Sequence, residues 1–425
     1  MISFFKRHTL LSIYTVIFIV LYYGVFETSG LKYFHFFIVF NSYKLIDKND
    51  GFLVFIIPYI LFGLSFIFLK KMKEIKYIHL VLAAMMYIGS PPVFENDHFR
   101  YIWEGKVVAH GENPYTHAPN SKKLNGVNYE RRSDIAYNKL TTIYPPLAQL
   151  YFFMFSFLKH KAALVCMQIL SMLLLMYFLW KQFSEEGISI VLITPFLYKE
   201  FIQSVHIDLL AVFILWYFFK RRQVYSSIAL SFLVKILGII TLPFIIIRDY
   251  YNSEFSLYKI LGLGIICMIT LGLYQIGVDE SQIQGGEAFL KFWFWNSLIG
   301  KPLFHLGVGE SFIRIALIAA FSLSYLANLI GYSLYKGSNL RLYLVNVFLC
   351  LYVFSPVLHT WYLIWPLAFL NQIKGYQAFL FISVLAYYPY GSSPLSGVAE
   401  LIQLSFLIYV IYKHVVSISK ARLAL

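Results

Sequence analysis

Two carboxylates, Glu95 and Asp97, open a polar stretch, residues 94–144, that runs from the end of an apolar segment to Tyr144-Pro145-Pro146. A carboxylate at a membrane boundary loses part of its hydration, which raises its pKa and makes it a better base. On an extended backbone the two would line one pocket; the competing reading is a solvated loop start. Arg100 and His98 beside them would hold a phosphate or simply neutralise the acids. Six of the chain's 21 acidic residues (Glu95, Asp97, Glu104, Glu112, Glu130, Asp134) fall here, so the stretch concentrates charge that the rest of the chain avoids. A long loop with turn signals is more often functional than a linker.

Other clusters offer complementary groups. Trp103-Glu104-Gly105-Lys106 and Gly111-Glu112-Asn113-Pro114-Tyr115 mix aromatic, amide and turn residues. That mixture suits a sugar, and equally an interfacial loop. Lys199-Glu200 and His206-Ile207-Asp208 separate two apolar runs. His206 and Asp208 are near enough to share a hydrogen bond that fixes the imidazole tautomer, or to stand as a solvated pair. Lys235 interrupts a run of Leu, Ile, Val and Phe; an ammonium there needs a partner such as a lipid phosphate, unless it snorkels. Trp293, Trp295 and Asn296, and His359, Trp361 and Tyr362, form two further aromatic clusters. They read as site walls or as belt residues at a membrane interface.

The elements that position these groups are membrane helices. Of 425 residues, 59% are hydrophobic and 13% charged, which excludes an ordinary soluble domain. The net charge of +14 does not indicate nucleic acid, because Lys and Arg fall in short clusters between apolar runs, as in cytoplasmic anchoring. Cys166, Cys267 and Cys350 lie inside apolar segments with no pairing or metal-ligand spacing. The apolar runs predict a retained first helix at 10–26, a return at 53–69 and an exit at 77–93, which puts 94–144 outside. A half-inserted helix is expected at 151–158, then spans at 162–180, 188–198 and 209–219. Residues 224–247 split at Lys235 to Gly238 into two short helices around an outer turn. Residues 257–276 go out, 277–310 form a second outer loop, and spans follow at 312–335, 342–354, 364–370, 379–390 and 398–412. The result is about fourteen helices, several short for a hydrocarbon core about 30 Å thick. The polar clusters gather on one face and no internal repeat appears, unlike many transporters. Gly-rich phosphate loops, zinc spacings and nucleophile elbows are absent from the sequence.

The run ENDHFRYIWEGKVVAHGENPYTHAP, followed by TIYPPLAQ, resembles the first outer loop of polytopic GT-C glycosyltransferases. It is most similar to that of bacterial polyprenol-phosphate-mannose-dependent mannosyltransferases and, more distantly, to the catalytic subunit of GPI mannosyltransferase I. The likeness continues in order through KEFIQSVHIDLL, ALSFLVKILGIITLP, FWFWNSL and SPVLHTWY, from about residue 77 to 370. Relatives often carry Asp where this chain has Glu95, Asn96 or Glu104.

The resemblance implies an all-α polytopic membrane protein, a single domain over 1–425 with about 12–14 transmembrane helices in a GT-C-type bundle. It implies transfer, with inversion, of a hexose, mannose foremost, from a polyprenyl-phosphate donor to a lipid- or glycan-linked hydroxyl. The site would face outward from a bacterial plasma membrane. Asp97 is then the general base with Glu95 as its companion, and Arg100, His206 and Lys235 stabilise the departing phosphate. Trp103, Asn113, Tyr115, Asp208, Asn296, His359, Trp361 and Tyr362 are expected on the sugar and acceptor walls. No cofactor is required, although some relatives in the wider superfamily use a divalent metal. The expected partners are donor, glycolipid or glycan acceptor and membrane lipids, with no nucleic acid. The alternatives are the same fold using another lipid-phosphate sugar (pentose or glucose), or a flippase of a lipid-linked glycan.

Overall fold

The computed structural model describes residues 81, 84–85, 87–92, 94–183, 196–274, 283–335, 339–370, 373–387 and 396–423. The expected spans at 10–26 and 53–69, most of that at 188–198 and part of that at 77–93 lie outside these residues. The described chain is mostly helical, and its extended pairing amounts to two isolated parallel bridges, Leu140 with Ile283 and Trp295 with Val357.

The helices are α1 (Asp97–Ala109), α2 (Pro146–Phe153), α3 (His160–Phe183), α4 (Asp208–Lys220), α5 (Val224–Phe232), α6 (Leu242–Tyr251) and α7 (Leu257–Leu273). They continue with α8 (Gly285–Phe292), α9 (Gly300–His305), α10 (Glu310–Leu334), α11 (Leu340–Phe354), α12 (Tyr376–Ile382) and α13 (Ser396–Leu423). Among the described residues, His160–Gln182, Glu310–Leu334 and Gly397–Ser419 are long and apolar enough to cross a membrane. The chain is a membrane protein of all-α class. Large apolar side chains such as Tyr258, Met268, Ile315 and Leu334 stand exposed on α7 and α10, where lipid would cover them.

Two local findings refine the sequence reading. Residues 224–247 do divide near Lys235, into α5, a 3₁₀ segment at Ile236–Thr241 and α6. Of the span expected at 364–370, residues 364–368 form part of a 3₁₀ segment, Thr360–Ala368, that is buried inside the protein except at Tyr362. Pro366 within it lacks the N–H that a regular helix would need.

The 94–144 stretch is anchored by α1 lying across α2. A methyl group on Gly105 would meet the carbonyl oxygen of Phe152 at 2.2 Å, so only glycine permits this approach. Tyr101 stacks on Phe152 with ring centroids 4.7 Å apart. Lys106 Nζ donates to the carbonyls of Ser156 (2.8 Å) and Leu158 (3.1 Å). The run Trp103-Glu104-Gly105-Lys106 is therefore largely a packing motif.

Candidate active site

The residue pair that opened the sequence reading is split by local structure. Glu95 precedes α1 outside any regular element, and Asp97 is the first residue of the helix. The backbone turns at Phe94, which holds φ at +68°, an unusual conformation for a bulky side chain. Val205, immediately before His206, has φ +52°, and Asn296 has φ +46°. Non-glycine residues held in this region persist only where surrounding structure over-determines them, and such residues cluster at functional sites.

Glu95 lies in a buried ionic cluster. Lys199 Nζ donates to Glu95 Oε1 at 3.0 Å and lies 3.3 Å from Glu200 Oε2. His206 Nε2 pairs with Glu95 Oε2 and stands 3.5 Å from Glu200 Oε2. The Tyr387 hydroxyl reaches Glu95, approaches Glu200 Oε1 at 2.9 Å, and meets the Thr360 hydroxyl at 2.7 Å. Lys199 and Glu200 come from a buried π-helical turn, Tyr198–Gln203, a rare element that frequently marks functional sites. All four charged side chains are at least 95% shielded, so the two acids and two bases must balance each other. Burial opposes charge on Glu95, but Lys199 and then His206 overcome it and hold the carboxyl well below its usual range. Burial likewise opposes charge on His206, and Glu95 reverses this, raising the imidazole above its ordinary value.

Asp97 is arranged differently. Among the described residues no hydrogen bond or ion pair engages its carboxylate. Burial raises its pKa, the charge of Glu95 adds to the rise, and His206, Lys235 and Arg100 oppose it. The group is an open carboxylate whose basicity has been increased, ringed by three cationic side chains.

The cations differ in what they have left to offer. Arg100 is committed to the carbonyls of Tyr137 (2.9 Å) and Leu140 (3.1 Å) and to Glu104 Oε1 (3.2 Å), so it ties the loop to α1. His206 is held by Glu95. Lys235 pairs with Asp208 Oδ2 at 3.1 Å but remains partly open, near the ring faces of Tyr362 (5.2 Å) and Tyr144 (5.8 Å). Trp365 Nε1 donates to Asp208 Oδ1 at 3.0 Å and fixes that carboxylate toward the lysine.

The expected wall residues separate into two groups. Trp361 stacks between His206 (3.8 Å) and His359 (4.2 Å), and His359 meets Tyr362 edge-on at 5.4 Å. Burial pushes His359 down to about 3, so it is a neutral ring at this wall. Asn296 is buried, donating to the Leu358 carbonyl at 3.1 Å and exchanging hydrogen bonds with Gln403. The backbone of Trp295 pairs with Pro356 and Leu358, and so joins the two aromatic clusters. Trp103, in contrast, is buried in the core beneath the Arg132 guanidinium, 4.8 Å from its ring centroid. Asn113 accepts from the Tyr115 amide at 2.9 Å, and Tyr115 donates to the Tyr144 carbonyl at 2.8 Å. These three brace the loop.

Glu95, Glu200 and His206 bring potential ligand atoms within 4.8 Å of one another, a set that could hold a divalent ion. The Lys199 ammonium already lies among the same carboxylate oxygens, so the donor set fits a metal poorly while that lysine is charged.

The fold and this charged, aromatic-walled site define a polytopic membrane protein whose ionisable groups are gathered where loop segments meet the helices. Residues 51–249 match the MptA_B_family model, described as alpha-(1->6)-mannopyranosyltransferase, N-terminal domain. The match takes in Glu95, Asp97, Lys199, Glu200, His206, Asp208 and Lys235, and supports mannosyltransferase activity in general. No curated protein and no solved structure matches the chain.

Proposed function

We propose that this membrane glycosyltransferase moves a hexose, mannose foremost, from a polyprenyl-phosphate donor to a hydroxyl of a lipid- or glycan-linked acceptor. The observation that carries the reading is the open Asp97 carboxylate with raised pKa, beside a neighbouring acid that is fully engaged. In a single displacement, the acceptor oxygen attacks the sugar C1 while Asp97 takes its proton. The bond from C1 to the phosphate oxygen breaks, the electron pair leaves with polyprenyl phosphate, and the anomeric configuration inverts. Lys235 is the cation with an exposed face, and it stabilises the growing negative charge on the phosphate. Tyr362 supplies a ring face for the sugar, and the buried His206–Trp361–His359 stack backs it. The reaction faces the outside of a bacterial plasma membrane.

The test uses inside-out and right-side-out membrane vesicles carrying wild type or Asp97→Asn at equal expression. They receive labelled polyprenyl-phosphate-mannose, with the cell's own glycolipids as acceptors. The expected result is a new labelled product in wild type alone, in vesicles whose outer face is accessible. A wild type that transfers none of the lipid-phosphate sugars supplied in turn (mannose, glucose or pentose) would end the proposal.

A further inference from the structure

Tyr137 departs from the pattern of its surroundings. The aromatic residues of α1 and the following loop (Phe99, Tyr101, Trp103, Tyr115, Tyr129, Tyr144) are buried, whereas Tyr137 is 64% exposed. It also holds φ at +51°, a strained conformation for a bulky side chain. Its ring packs on Trp293 with centroids 4.5 Å apart, and Phe289 backs Trp293 at 5.8 Å.

The pair is firmly mounted. Arg100 NH2 donates to the Tyr137 carbonyl at 2.9 Å. Arg100 is three residues beyond Asp97 in α1, so the two share a helix face. On the other side, Thr141 N donates to the Ile283 carbonyl and Ile283 N to the Lys139 carbonyl, both at 3.1 Å. A methyl group on Gly285 would meet the Thr141 carbonyl oxygen at 2.2 Å, so the two outer segments are in close backbone contact. Partial burial, and then the Asp97 carboxylate, push the Tyr137 phenol up, which places it within electrostatic reach of the open base. A belt aromatic anchoring a helix in lipid needs neither a strained backbone nor a mount on the helix that carries the base.

We propose that Tyr137 and Trp293, whose ring planes are tilted by 56°, form an angled aromatic platform for a pyranose ring of the acceptor, holding its hydroxyl toward Asp97. Aromatic faces bind the C–H faces of sugars and leave their hydroxyls free, which is what an acceptor needs. This platform lies on the exposed loop side, apart from the buried His206–Trp361–His359 stack. The inference rests on the transferase reading, and binding without turnover separates the two.

The probe is an α-(1→6)-linked mannotriose, added without donor to purified full-length protein in nanodiscs. Saturation-transfer NMR and tryptophan fluorescence report binding. Tyr137→Gly removes the ring and suits the positive φ, while Tyr137→Phe keeps the ring; Trp293→Ala removes the partner. The expected result is a Kd raised about tenfold by Tyr137→Gly and by Trp293→Ala. Affinity should be kept in Tyr137→Phe and in Tyr258→Ala, a lipid-side control. Equal affinity in all variants, or no binding by wild type, would overturn the platform. If wild type binds the trisaccharide yet never transfers sugar, the transferase reading falls and the platform stands. If it transfers sugar with an acceptor KM indifferent to ring removal, the reverse holds.

Discussion

The clustered carboxylate of Glu95 and the unpaired carboxylate of Asp97 are separated by one residue of chain, and the charge in each is handled in opposite ways. Every oxygen of Glu95 is claimed by Lys199, His206 or Tyr387, and its pKa falls despite burial. Asp97 has no such partner among the described residues, and its pKa rises. A carboxylate saturated with donors is a poor base and a good strut; one stripped of donors is the reverse. The difference teaches that proximity to the site does not assign catalysis. What sets Asp97 apart is unspent hydrogen-bonding capacity, which Glu95 lacks.

The strongest way to break the comparison is Asp97→Asn. If Asp97 is the base, kcat should fall about 10³-fold, within the usual range for a general base, while thermal stability in detergent stays at the wild-type value. Glu95→Gln should show the other profile, with a lower unfolding midpoint, because a buried cationic pair is left partly uncompensated. A Glu95→Gln enzyme as stable as wild type but equally inactive would exchange the two assignments.

Lys199→Met is the next largest effect. It leaves Glu95 and Glu200 facing each other with only His206 and hydrogen bonds for compensation. Breaking a buried pair by removing one partner typically costs about 3–5 kcal/mol, so the melting midpoint should drop clearly. The same substitution clears the ammonium from among the Glu95, Glu200 and His206 ligand atoms. Added Mn²⁺ should then restore part of the lost thermal stability in the variant and leave wild type unmoved. Restoration of equal size in wild type would mean that Lys199 does not compete with a metal.

Much of this arrangement was legible in the sequence, and the rest was hidden for identifiable reasons. Long apolar runs announced an all-α membrane protein because lipid allows few other solutions. Lys199, Glu200, His206, Asp208 and Lys235 drew notice because ionisable groups between apolar runs are expensive. Lys199 and Glu200 were not assigned to the site, however, since their meeting with Glu95 spans about a hundred residues of chain that no local pattern reports. Tyr387 gave no signal at all: it lies in an aromatic run where one hydroxyl looks like its neighbours. Trp103 misled in the opposite direction. Its aromatic-plus-turn context suited a sugar wall, yet the helical period of α1 turns it inward under Arg132, while Asp97, Arg100 and Glu104 follow another face. The extended backbone that would have paired Glu95 with Asp97 is absent, because α1 begins at Asp97 directly after its N-cap Asn96.

The two regions remain coupled through one residue, and His206→Gln is the subtlest test of that coupling. In wild type the His206 charge is maintained by Glu95 and in turn lowers the pKa of Asp97 against the effect of burial. Gln keeps an N–H near the Nε2 position, so it can still donate to Glu95, but it carries no charge. Removing a nearby positive charge makes the carboxylate harder to ionise. A base works only when deprotonated, so activity in wild type should rise with pH through the Asp97 pKa, above the range of a solvated aspartate near 3.9. In His206→Gln that acid limb of kcat/KM should move to still higher pH. At a pH well above the limb the variant should recover most of its rate. An acid limb that moves downward, or stays fixed while the rate falls uniformly, would show that His206 serves the reaction by contact with substrate and not by its field on Asp97.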